Sequence, residues 1–376
     1  MLEAMKDIGL LSSQAVSARR ALWIRQWNAD ADSKRNMEAL PYKVINKCHK
    51  VSVSTDRLYF HWSTIVWLTL EMVDGSVSQI CSFHKQIVAN VSGCDQNKML
   101  DCFMAKTEEE IIAISSVLKF LALPGNIDGT FFPKPVEQIL ADKESNPVPF
   151  MTGVTEQEFG WVVPMALNIS GIREGMDRET AHKVLENIPL LGRLSGLTSL
   201  LLDEYLGDDT DPAVIRSHFF DLCGDFMFVM PALKKSKYHR DAGNPVYFYE
   251  FQRRPSLFKD SKPDFVKADH GDELIFVIGG PFLPDGLLFT GAAEEEEKVL
   301  SKTMMKYWAN FARTGNPNGP GLTYWPQYSQ DEGYLKINLQ QASATGLKAD
   351  KYKFWTTTIP KRLQELQKTG EAHSEL

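Results

Sequence analysis

Residues Pro147–Val154 read PVPFMTGV, and the residues that follow, Thr155–Trp161, read TEQEFGW. The first stretch is a short strand, with apolar side chains between proline and polar punctuation. Two carboxylates, Glu156 and Glu158, stand directly behind its carboxyl end, where parallel α/β sheets carry their functional groups. Pro245–Phe251 (PVYFYEF) is aromatic and β-branched and predicts a buried strand. Gly333–Leu339 alternates and predicts a final strand. Helical patterns lie between and around them. Thr107–Glu110 matches a capping box ahead of Ile111, Ile114 and Leu118. Val214, His218, Phe219, Leu222, Phe226 and Val229 recur at helical spacing and predict a helix that stops at Pro231, with His218 on its buried side. Glu294–Phe311 is amphipathic, striped by Leu300, Met304, Tyr307/Trp308 and Phe311, with Gly315 just past its end. Phe354–Gln367 predicts a closing helix and Ser12–Trp27 an early one. Strands separated by helices predict an α/β fold with a mainly parallel sheet over residues 81–376, behind an atypical, unassigned segment 1–80.

Composition narrows the function. The 376 residues are 43% hydrophobic and 24% charged, enough for a sizeable core. A net charge of −7 argues against a nucleic-acid binder. The most apolar run, Ile65–Leu70, is far short of a membrane span. None of the five cysteines (Cys48, Cys81, Cys94, Cys102, Cys223) sits in a CxxC, which argues against a zinc ribbon or dithiol site. Cys94 and Cys102 close a small loop in an oxidising compartment and are ordinary thiols in a reducing one. His49, His61, His84, His182, His218 and His239 lack ligand-like spacing, so no metal site is expected. Asn90-Val91-Ser92 and Asn168-Ile169-Ser170 are candidate glycosylation sequons.

Two local constellations bear chemistry. Asp269-His270-Gly271-Asp272-Glu273 follows a loop-like stretch, and a histidine beside glycine is suited to general acid–base work at neutral pH. The plain alternative is a structural histidine among solvated carboxylates. Glu158 is suited to fixing a histidine tautomer. Glu156 competes with it, and either could be a solvated loop carboxylate. The run Glu294–Glu297 complements a helix dipole.

The stretches GVTEQEFGWVVP (153–164), VYFYEFQRRPS (246–256), KADHGDEL (267–274) and EEEEKVLSKTMMKYWANFARTGNPNGPGLTYWPQY (294–328), with the tail HSEL (373–376), resemble mammalian type-B carboxylesterases. The nearest likeness is to the carboxylesterase 2, cocaine-esterase-like, subgroup. The resemblance runs from about Val88 to Leu376. It implies the C-terminal portion of an α/β-hydrolase of the endoplasmic reticulum lumen. Such enzymes cleave small-molecule esters, amides and thioesters through a Ser-Glu-His triad without a cofactor. By resemblance Glu158 is the triad acid, His270 the base, and Cys94–Cys102 a disulfide. The tail resembles addresses read by a luminal retention receptor.

One part of the family pattern does not carry over. The 376 residues contain no G-x-S-x-G elbow. Gly192-Arg193-Leu194-Ser195-Gly196 has the wrong spacing and follows Glu158 instead of preceding it. The HGG-type oxyanion loop and the early strands are also missing, which predicts a partial α/β-hydrolase fold. Residues 1–80 would have to cover the sheet in their place. The expectation is a carboxylesterase-like chain that is catalytically inactive. The alternatives are an ester hydrolase with a displaced nucleophile and a non-catalytic binding module. The opening residues make a poor signal peptide, so the chain as written is expected in the cytosol, against the luminal address of its tail.

Overall fold

The computed structural model describes residues 86, 88–118, 132–166, 169, 172–187, 196–283 and 292–374. The early helix 12–27, the run 65–70, segment 1–80, Asn168 and residues 192–195 of the elbow-like segment lie outside them. The described strands are β1 (Phe150–Thr155), β2 (Val246–Phe251), β3 (Gly333–Ile337) and β4 (Ala342–Thr345). In chain order the described α-helices begin with α1 (Met99–Met104), α2 (Glu108–Leu118), α3 (Val136–Ala141) and α4 (Val162–Ala166). Then come α5 (Arg178–Asn187), α6 (Thr198–Leu206), α7 (Pro212–Gly224) and α8 (Met230–Asp241). The last are α9 (Asp272–Val277), α10 (Glu295–Thr314), α11 (Ala349–Lys353) and α12 (Ile359–Ser374). The described residues fall into two compact units. A sheet unit holds Val148–Glu156 and Pro245–Thr345; a helical unit holds Gln157–Asn244, Gly346 onward and the described residues up to Pro147.

In the sheet unit the strand order is β1-β2-β3-β4. β1–β2 and β2–β3 are parallel and β3–β4 is antiparallel. This mainly parallel sheet with its helices is a partial α/β-hydrolase arrangement. All six residues of β2 are buried, as a central parallel strand requires. β4 escaped the sequence reading because Ala-Ser-Ala-Thr offers no apolar alternation; it is held at an exposed edge by backbone pairing with β3 and by the Ser343 hydroxyl, which donates to the Tyr324 carbonyl at 2.7 Å.

The core of this unit is aromatic. Tyr247, Tyr249 and Phe251 point from β2 toward Leu300, Met304 and Tyr307 of α10. Trp325 is fully buried among them, with ring centroids 5.3 Å from Tyr307, 6.0 Å from Tyr249 and 6.0 Å from Trp308. Its indole N–H donates to the Phe248 carbonyl at 2.8 Å, which satisfies the ring's one polar group. Gly153 makes room for this arrangement: a Cβ there would lie 2.3 Å from Tyr249 Cγ. α10 forms as its stripe predicts. It is opened by a capping box between Glu294 and Glu297 and closed by Gly315 at φ 75°. Glu297 is more than a dipole partner, however. It is fully buried and takes hydrogen bonds from Arg253 Nε at 2.8 Å, the Ser256 N–H at 2.9 Å and the Ser256 hydroxyl.

In the helical unit, the helix expected to stop at Pro231 does not. α7 ends at Gly224, a π-turn spans Asp225–Val229, and α8 continues from Met230 to Asp241. The Met230 N–H reaches back to the Asp225 carbonyl. The extra residue in the turn puts Pro231 into the first turn of α8, where its missing N–H costs little. The closing helix uses the same device: a π-turn at Phe354–Thr358 precedes Pro360. The two π-turns touch through Phe226 and Trp355, 5.2 Å between centroids. His218 also departs from expectation. It is 37% exposed and sits 3.4 Å from the Asp209 carboxylate instead of in the core.

Candidate active site

Glu158 lies in the helical unit, in the turn behind β1, and is buried. Apolar packing places it. Phe159 is fully buried, edge-on to Phe219 at 6.3 Å and tilted against Phe220 at 6.2 Å, both on α7. α7 presents Gly224 here; a Cβ on it would stand 3.4 Å from Glu158 Cβ and from the Phe159 backbone nitrogen. Any branched side chain at 224 would therefore press on the backbone that carries the carboxylate. Trp161 is buried too, with the Arg173 guanidinium 4.7 Å above its ring.

Glu156 belongs to the sheet unit and already has a partner. Lys267 Nζ lies 3.1 Å from its Oε1, in a half-exposed pair.

His270 lies in the sheet unit, half-buried, on the turn that leads into α9. Its two flanks are fastened by charge. Lys262 Nζ donates to Asp272 Oδ1 at 2.6 Å and stands 3.1 Å from Asp269 Oδ2. Asp272 Oδ2 accepts the Asp269 N–H at 2.9 Å, and the Asp272 N–H donates to the Asp269 carbonyl at 3.0 Å. Gly271 takes φ 83°, a left-handed conformation that glycine adopts without strain. Lys262, Asp269 and Asp272 are all buried. Two carboxylates thus share one ammonium away from water. Burial dominates and pushes Asp272 up to about 6, against the pull of Lys262. Lys262 is itself held: its ammonium lies 4.6 Å over the Phe258 ring, and Arg254 donates to its carbonyl at 2.9 Å. The sequence reading picked out Asp269 and Asp272 but missed Lys262, since nothing local marks a lysine in a loop as buried. Phe159 and Gly224 were missed for the same reason.

Among the described residues no His, Cys, Asp and Glu cluster suits a metal ion, and no helix is long and apolar enough to cross a membrane. Cys94 and Cys102 are joined by a disulfide, with Cα atoms 5.8 Å apart. Asn90 is exposed, its side-chain oxygen accepting from Gln86 at 2.8 Å.

Comparison with known proteins adds the decisive observation: the carboxylesterase family model matches residues 74–355, a stretch that includes both turns. The chain belongs to the carboxylesterase family. It is 41% identical to human cocaine esterase over 309 residues, covering 81% of this chain and 54% of that protein. It is 41% identical to mouse acylcarnitine hydrolase over 332 residues, covering 87% and 58%. It is 42% identical to mouse liver carboxylesterase 1 over 306 residues, covering 77% and 53%. These near-equal identities do not separate one carboxylesterase subgroup from another. The chain spans about half the length of the relatives it matches.

Proposed function

We propose that this carboxylesterase chain carries the acid and base of a serine-hydrolase site, Glu158 and His270, without its nucleophile, and that it does not hydrolyse esters by itself. One observation carries the reading: the 376 residues hold both family motifs, TEQEFGW and KADHGDEL, but no G-x-S-x-G. Without that serine there is no acyl-enzyme route. Without the paired backbone donors, the tetrahedral oxyanion loses support worth about 3 kcal/mol per donor. The catalysis that survives loss of a triad member depends on an intact oxyanion hole and substrate cleft. Glu156 is the weaker candidate for the acid because Lys267 already engages it. The cocaine-esterase-like subgroup, with small-molecule esters as its substrates, rests on the motif resemblance. A disulfide and an exposed sequon at Asn90 suit a luminal, glycosylated setting.

The test uses the full chain, a short-chain aryl ester and a fluorophosphonate probe for activated serines. The expected result is hydrolysis at the buffer rate and no labelling, in wild type and in His270→Ala alike. Turnover that His270→Ala abolishes would overturn the proposal and establish a displaced nucleophile.

A further inference from the structure

We propose that Lys262 is a positioning residue for His270: by clamping Asp269 and Asp272 together it fixes the turn from which the imidazole projects. The inference rests on reading His270 as the base, but its test does not depend on ester turnover.

The argument is geometric. His270 and Gly271 are the only residues between the two clamped aspartates, and Gly271 is free of close neighbours where a Cβ would be. The backbone from which the imidazole projects is therefore shaped by the ends of the turn. Those ends are tied by two backbone-level bonds, Asp269 N–H to Asp272 Oδ2 and Asp272 N–H to the Asp269 carbonyl. The first of these needs the Asp272 side chain folded back over the turn, and Lys262 holds it there through Oδ1. If the ammonium is removed, two buried carboxyl groups lose the cation that they share. Repulsion or protonation then changes the side-chain geometry that shapes the turn. Lys262 is a good anchor because its own backbone is pinned by Arg254 and its ammonium is seated over Phe258.

The experiment reads the imidazole signals of the full chain, labelled with ¹⁵N-histidine, through a pH titration. His270→Gln identifies which signals belong to His270. In Lys262→Met the His270 signals are expected to move and its titration midpoint to shift by about half a pH unit or more, as the rearranged turn changes the surroundings of the imidazole. Those of His218 and His239 should stay in place. Lys262→Arg, which keeps the charge, should restore most of the shift. Asp272→Asn is a second route to the same readout and should also move the His270 signals. A folded Lys262→Met or Asp272→Asn whose His270 signals overlay wild type would overturn the proposal. So would failure of both variants to fold, which would make the cluster a folding element only. The reading of His270 as a base partnered by an acid is tested separately: in Glu158→Gln, unmoved His270 signals would sink that reading and leave the Lys262 result standing.

Discussion

In the turn behind β1, Glu158 is kept in place by a neighbour with no charge: Phe159, fully buried against Phe219 and Phe220. In the turn ahead of α9, His270 is flanked by Asp269 and Asp272, both buried and both bound to Lys262. Packing and ion pairing divide the work according to the acid and base roles proposed for the two residues. A carboxylate that orients a histidine needs a stable place, which non-directional burial supplies. An imidazole that shuttles a proton must present a given nitrogen in a given direction, and short charged hydrogen bonds are directional. The cost of the second solution is sensitivity to pH, because its anchors titrate.

The largest expected effect comes from the apolar side. Phe159→Ala removes a fully buried ring and should cost about 3–5 kcal/mol in urea unfolding, about equally at pH 5 and pH 8. A cost that differs strongly between those pH values would mean that charge, too, holds the acid turn, and the contrast would fail. The next effect comes from the ionic side. Burial raises Asp272 from its ordinary 3.8 to about 6 in the folded chain. Between those values the folded state keeps a proton that the unfolded state has lost, so this group's contribution to stability falls as pH rises through the window. At about 1.4 kcal/mol per pH unit of displacement, the fall is at most about 3 kcal/mol. Asp272→Asn should abolish that slope while still accepting from the Asp269 N–H. Its stability relative to wild type should therefore climb from pH 4 to pH 7. Parallel stability curves for the two proteins across that range would refute the assignment.

The sequence made one side of this contrast easier to read than the other. The amphipathic period of 294–311 and the aromatic run 245–251 are local patterns, and the structure has a helix at Glu295–Thr314 and a strand at Val246–Phe251. The proposed acid and base were legible because TEQEFGW and KADHGDEL resemble a family, and not because spacing distinguishes Glu158 from Glu156. What holds the pair was not legible. Whether Lys262 is solvated or buried depends on residues that approach it only in the folded chain. Pro231 was misread because a rule about single residues, that proline ends a helix, ignores the freedom of the preceding turn to widen. A π-turn leaves no mark in the hydrophobic pattern beyond a slip of one residue, and Phe226 and Val229 still fall on a buried face.

The smallest effect bounds the comparison from outside. Glu156 and Lys267 lie within TEQEFGW and KADHGDEL and form an ion pair at 3.1 Å, with side chains 33% and 51% exposed. Such a pair contributes at most about 1 kcal/mol in dilute buffer and is screened by salt. Glu156→Gln should therefore cost roughly half a kcal/mol at low ionic strength and almost nothing in about 1 M sodium chloride. The Asp272→Asn difference should hardly change with salt, because buried charges are poorly screened. A salt-insensitive loss for Glu156→Gln as large as that of Phe159→Ala would show Glu156 to be an integral member of the site. The choice of Glu158 over Glu156 as the acid, which the family resemblance makes and the Lys267 pair supports, would then have to be remade.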